Sequence, residues 1–324
     1  MSARRDPERD VGLWGEIPAP GQLSWPRRPP SLWASGVPNP TTSSKPQSLC
    51  GDRGSAKASE SSGESETGTR RTVPTRSPIS STKNCWPGAF DRIRKDAAVG
   101  VDGTTKEQYG QNLEANLRGL HERLKTMLYR HQPIRRVHIP KEKGKTRPIG
   151  VSTIEDKVVQ NALREVLEAV YEQEFLDCSY GFRHERSAHD AVRALTKAVD
   201  EGEANWILEL DIASFFDSLC RKELEEMLRK RVADGSMLRL IGKCLHVGVL
   251  DGGEYSEPEE GTVQGSTLSP LLGNVYLHYA LDLWFAEEVK PRLRGKATLV
   301  RYADDAVLGF ERQGRRREGD GSTG

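Results

Sequence analysis

Cysteine, aromatic residues and long apolar runs are all scarce in this chain. The five cysteines, at 50, 85, 178, 220 and 244, are odd in number, widely spaced and form no C-x-x-C pair. That argues against a disulfide framework or a zinc module and suits a reducing, cytoplasmic compartment. No stretch approaches the ~18 apolar residues of a membrane span, and the first residues lack the apolar segment of a secretory signal. Only 35% of the residues are hydrophobic and 6% aromatic, so part of the chain is expected to stay unpacked.

What is abundant is charge, unevenly distributed. A net charge of +1 conceals a basic stretch, 118–147, with ten Lys/Arg against Glu122 and Glu142. Residues 151–324 carry 22 Lys/Arg against 32 Asp/Glu. A basic patch, including Arg135 and Arg136, beside an acidic half fits a polyanion grip next to a metal-binding centre; solvated helix faces fit the same charges. Residues 1–85 are rich in Ser, Pro, Thr, Gly and Arg without period and read as disordered.

Regular patterning begins near Phe90. Leucines at 113, 117, 120 and 124 predict an amphipathic helix over 105–129. Residues 132–153 predict a hairpin with Val137 and Ile149 on its arms and Lys141–Lys145 at its tip. Thr153 with Asp156, and Ser187 with Asp190, are helix-start signals. A strand over 206–212 follows, then a helix stopped by Gly235, another from Ser236 to Leu245, and a last one from Ser269-Pro270 that buries Tyr279 and Leu283. Helices and strands mix without strict alternation, so the class is α+β.

Two apolar segments carry carboxylates. WILELDIASFFD (206–217) holds Asp211, and TLVRYADDAVLGF (298–310) holds Asp304 and Asp305. Acids in apolar strands are costly unless a cation binds them, although an Asp-Asp pair is also ordinary turn chemistry. Nucleotidyl transfer uses two divalent cations about 3.5–4 Å apart, and carboxylates from two strands are an economical way to hold them.

Taken in order, several segments resemble the reverse transcriptase/maturase family encoded by bacterial group II introns. They are AVGVDGTTKEQY (98–109), RPIGVSTIEDKVVQNALREVLEAVYEQEF (147–175), CSYGFRHERSAHDAV (178–192), ELDIASFFDSL (209–219), QGSTLSPLLGN (264–274) and RYADD (301–305), within about 88–312. The resemblance implies a right-hand polymerase, with fingers and an N-terminal extension over 86–205 and a catalytic palm over 206–312. It implies RNA-directed DNA polymerase activity, with an RNA template, a DNA primer, deoxynucleoside triphosphates and intron RNA as partners. Asp211, Asp304 and Asp305 then match the catalytic triad and its Mg²⁺ ligands. Lys141 and Arg147 fall where the triphosphate enters, Phe216 at the sugar gate and Gln264 beside the nascent base pair. Arg183 and Arg186 match residues near the template backbone.

The sequence departs from that pattern at three places. Val263 stands where the family usually has Pro, and Ala306 where an aromatic is usual. After GFERQ the chain runs GRRREGDGSTG, which reads as an aberrant tail (313–324) in place of further palm, thumb and maturase region. The rival expectations are a non-catalytic RNA-binding remnant and a retron-type reverse transcriptase.

Overall fold

The computed structural model describes residues 85–140, 146–258, 260–262 and 264–312. Expectations for 1–84, the hairpin tip with Lys141, Val263 and the tail 313–324 lie outside the described residues. Among the described residues no helix is long and apolar enough to cross a membrane.

Cys85, assigned to the disordered region, instead opens helix α1 (Cys85–Asp91), which buries Trp86, Ala89 and Phe90. The single helix expected over 105–129 is two: α2 (Lys106–Gln111) and α3 (Leu113–Lys125). They part at Asn112, whose φ of −123° and ψ of 37° leave the helical region; Asn readily takes non-helical conformations. Thr105 and Gln108 form a reciprocal capping box at the start of α2.

The predicted hairpin is present. Strands β1 (Ile134–Pro140) and β2 (Thr146–Val151) pair antiparallel with Val137 opposite Ile149. Two short strands, β4 (Val249–Asp251) and β5 (Glu254–Ser256), extend this sheet to the order β2-β1-β4-β5, with β1 parallel to β4. Helix α4 (Ile154–Tyr171) starts at Thr153, whose side chain accepts from the Asp156 amide. It runs through the first core with Ile154, Val158, Val159, Leu163 and Leu167 buried. Each such side chain contributes roughly 1.5–3 kcal/mol.

Helix α5 (Ala188–Asp200) has the Ser187–Asp190 capping box. Strand β3 (Trp206–Asp211) leads to the single turn α6 (Phe215–Ser218) and then α7 (Arg221–Arg229). Gly235, expected to stop a helix, instead begins α8 (Gly235–Leu245). Asp234 is its N-cap, accepting from the amides of Ser236 and Met237.

Helix α9 (Ser269–Leu277) starts with Pro270 in its first turn and continues as wider π-helical turns over His278–Asp282 and Trp284–Val289. The wider turns shift the phase of the inward face. Leu281 and Phe285 are therefore buried, while Tyr279 and Leu283, expected inside, are half-buried. A short 3₁₀ turn leads to strands β6 (Ala297–Tyr302) and β7 (Asp305–Phe310). The second sheet has the order β3-β7-β6, antiparallel throughout. Leu281, Phe285, Ala297, Leu299, Ala306 and Leu308 form the core beneath it.

Candidate active site

The second sheet brings the three aspartates together. Strand register sets Asp211 directly opposite Asp305, and Asp304 occupies the two-residue turn joining β6 to β7. Cross-strand partners have Cα atoms about 4.5–5.5 Å apart, so these carboxylates share one end of one sheet. Glu209, two positions before Asp211 and on the same face of β3, adds a fourth acid that the motif reading passed over. Among the described residues none of the four is ion-paired. The Asp305 pKa is raised, first by burial and then by Asp304, Asp211 and Glu209. Mutual repulsion of this kind is what a bound cation relieves.

The turn is held from behind. Ala303 has a φ of 58°, a left-handed conformation unusual for a residue with a Cβ. Arg301, wholly buried, spends all five guanidinium donors there. It donates to Asp282 at 2.8 and 2.6 Å, to Asn274 Oδ1 at 2.9 Å, to Ser179 Oγ at 2.8 Å and to the Ala303 carbonyl at 2.8 Å. Asn274 in turn donates to the Gly181 carbonyl at 2.7 Å. Gly181 presses on the turn so closely that a Cβ there would fall 2.3 Å from the Ala303 nitrogen. The 178–181 segment also bonds to β6 through Arg301 N–Cys178 O and Tyr180 N–Arg301 O.

Other expected site residues are placed less uniformly. Phe216 is half-buried on α6, its ring tilted against Phe215 at 5.2 Å; a Cβ at Gly273 would lie 3.2 Å from it. The Gln264 carbonyl accepts from the Gly150 amide at 2.6 Å, tying its loop to β2. Gly265, with a φ of 102°, lies against Gly150 and Ile149 where a Cβ would clash. Between these elements lies a cleft of about 470 Å³, lined by Pro148, Gly150, Asp217, Arg221 and Gln264. Arg147 is exposed on β2.

The cations assigned to nucleic acid are largely committed within the protein. Arg183 is buried and donates to Glu172 and to the carbonyls of Leu176 and Ser179. Arg186 pairs with Asp177 at 2.6 Å. Arg135 donates to the Val99 carbonyl, and Arg136 lies 3.7 Å from Asp251. Ala306, beneath the turn, is buried in the second core.

An antiparallel sheet with carboxylates converging at a hairpin turn, unpaired among the described residues, is an arrangement compatible with nucleotidyl transfer. The chain belongs to the reverse transcriptase (RNA-dependent DNA polymerase) family, whose model matches residues 139–318, more than half of it. It is 35% identical over 239 residues to Protein YkfC of Escherichia coli (strain K12), covering 64% of this chain and 62% of that protein. It is 39% identical over 191 residues to Group II intron-encoded protein LtrA of Lactococcus lactis subsp. cremoris, covering 59% of this chain and 32% of that one. The matches thus span less than two thirds of these relatives. A solved "Partial Cas6-RT-Cas1--Cas2 complex" aligns over 73% of this chain and 38% of its own, at 23% identity and a TM-score of 0.45.

Proposed function

We propose that this chain carries the catalytic core of a group II intron-type reverse transcriptase. It would add deoxynucleotides to a primer 3′-hydroxyl on an RNA template, with residues 86–205 as fingers and 206–312 as palm. The supporting observation is the register that pairs Asp211 with Asp305 and puts Asp304 in the adjoining turn. Group II intron RNA is the further partner this kinship suggests.

Asp211, Asp304 and Asp305 would hold divalent cation, Mg²⁺ in this reading. Among the described residues no group of three or more His, Cys, Asp or Glu side chains is placed to hold a metal ion. Mg²⁺ typically takes one or two carboxylates and completes its shell with substrate phosphates and water, so in this reading the site would be completed by the substrate. When bound, such a cation activates the attacking hydroxyl and offsets charge on the leaving pyrophosphate. The protein's own contribution is to fix the carboxylates on paired strands, to lock the turn through Arg301 and to border the cleft with Gln264. Phe216 would sit at the sugar, Arg147 and Lys141 at the triphosphate.

Primer extension on poly(rA) with Mg²⁺ tests this reading. Asp304→Asn should lose incorporation by ~10²-fold or more, since even outer-shell partners of metal ligands are worth 10–100-fold. Equal incorporation by both proteins, or none by either, would remove the catalytic assignment and leave a non-catalytic RNA-binding role.

A further inference from the structure

Most arginines of the described surface are neutralised within the protein. Arg92 pairs with Glu165, Arg123 with Glu155, Arg186 with Asp177 and Arg231 with Glu174. One group is not. Arg130, Arg239, Lys243 and His246 converge on a pocket of about 440 Å³, and none of the residues lining it is a carboxylate. Among the described residues none of these four is ion-paired. The pocket lies between the residues before β1, helix α8 and the β4–β5 hairpin, and shares no residue with the sheet that carries the aspartates.

The pocket is built rather than accidental. Lys243 donates to the carbonyls of Met127 and Tyr129, at 3.1 and 2.5 Å, so its charge is anchored at the wall with no counter-ion among the described residues. His131 forms a buried side, held by Gln132 O and Gln160, with the wholly buried Asp156 3.5 Å behind it. Arg130, Arg239 and His246 are exposed at the rim. Tyr255 is 56% exposed, and its ring lies flat enough on Gly248 that any Cβ there would fall 2.2 Å from the phenol oxygen. The Tyr255 hydroxyl donates to Glu257, which lines the neighbouring cleft, at 2.6 Å.

Clustered cations beside an exposed aromatic ring are the recognition chemistry of single-stranded nucleic acid. The cations track phosphates and the ring stacks an unpaired base. A single inorganic anion would leave most of 440 Å³ unfilled. We propose that this pocket binds a single-stranded nucleic-acid segment, with Arg130, Arg239 and His246 on phosphate and Tyr255 under a base. The proposal rests on the reverse-transcriptase reading only for the presence of such a strand, and adds a site that this reading does not contain.

Fluorescence anisotropy with labelled 20-mers of rA and dA, across a salt series and without primer or nucleotides, measures it on the full chain. The variant Arg130→Gln/Arg239→Gln/His246→Gln should bind about tenfold more weakly and lose about two units from the slope of log affinity against log salt. Tyr255→Ala should weaken binding about fivefold or more. The rA and dA arms distinguish template or intron RNA from a DNA strand. Unchanged affinity and slope in a triple variant that melts like the wild type overturns the proposal. A second measurement needs no variant: a 4-thiouridine-substituted 20-mer irradiated on the wild-type chain should crosslink to the peptide containing Tyr255. Crosslinks confined to other peptides overturn the proposal equally. Primer extension is read separately, so this site and the catalytic assignment fail independently.

Discussion

Behind the Tyr302–Asp305 turn, Arg301 and Asp282 have no exposed surface, and every guanidinium donor has an acceptor. In front of it, Asp211, Asp304, Asp305 and Glu209 crowd one face without a counter-ion among the described residues. The same short hairpin therefore carries charge in two opposite states. Buried charge survives only when fully paired, because an uncompensated ion loses several kcal/mol of hydration. Exposed charge left unpaired is tolerated through solvation and is available to a ligand. The contrast separates the side of the turn that sets geometry from the side left open to a ligand.

The largest effect that tests this contrast comes from the back. Arg301→Met leaves Asp282 buried and alone, and should cost about 3–5 kcal/mol in denaturant unfolding. The double variant Arg301→Met/Asp282→Leu removes both charges and should recover most of that loss. Primer extension should not recover with it, since the Ala303 carbonyl still lacks its donor and the turn its fixed position. A kcat drop with little change in dNTP KM would identify Arg301 as a positioning residue. Should Arg301→Met unfold no more easily than a variant of exposed Arg118, the two sides of the turn do not differ as argued.

Much of the front was legible in the sequence and almost none of the back. Acids in apolar strands stand out locally, and caps such as Thr153 and Ser187 have fixed spacing, so Asp211, Asp304, Asp305 and several helix starts could be read directly. Arg301 sits in the same RYADD string, yet its partners lie 19, 27 and 122 positions away. No local pattern links Asp282, Asn274 and Ser179 to it. The π-helical turns that carry Asp282 likewise have no simple periodic signature. Arg183 illustrates the converse: its place in GFRHERS suggested a template contact, while its burial against Glu172 and Phe175 emerges only from tertiary packing. Trp86, next to the last residue of the stretch read as disordered, belongs to the first core.

A smaller effect, also from the back, is read by pH. His278 stands edge-on to Phe175 with ring centroids 5.6 Å apart, and burial pushes its pKa down to about 4 from 6.5. Asp282 opposes that shift, while Arg301, Arg183 and Lys230 add to it. With the folded pKa below the unfolded one, the unfolded chain binds more protons between about pH 6.5 and 4. Stability therefore rises with pH across that window and is lost on acidification. The ceiling is roughly 3 kcal/mol. Unfolding free energies at pH 7.5 and 4.5 should differ less in His278→Gln than in the wild type. An unchanged difference assigns the acid sensitivity to other groups.

The smallest effect belongs to the front and has the opposite sign. Asp305 is repelled by Asp304, Asp211 and Glu209, with its pKa raised by burial first and by those neighbours next. Neutralising it relieves repulsion in a largely solvated site, so Asp305→Asn should stabilise the chain by a few tenths of a kcal/mol, roughly the scale of exposed charge pairs. Melts in EDTA would register that gain as a slightly higher Tm. Added MgCl₂ should then raise the wild-type Tm more than that of the variant, because a ligand that binds only the folded state stabilises in proportion to its affinity. A variant less stable than the wild type in EDTA would mean that Asp305 is structurally paired like Asp282, and the front of the turn would no longer be distinct from its back.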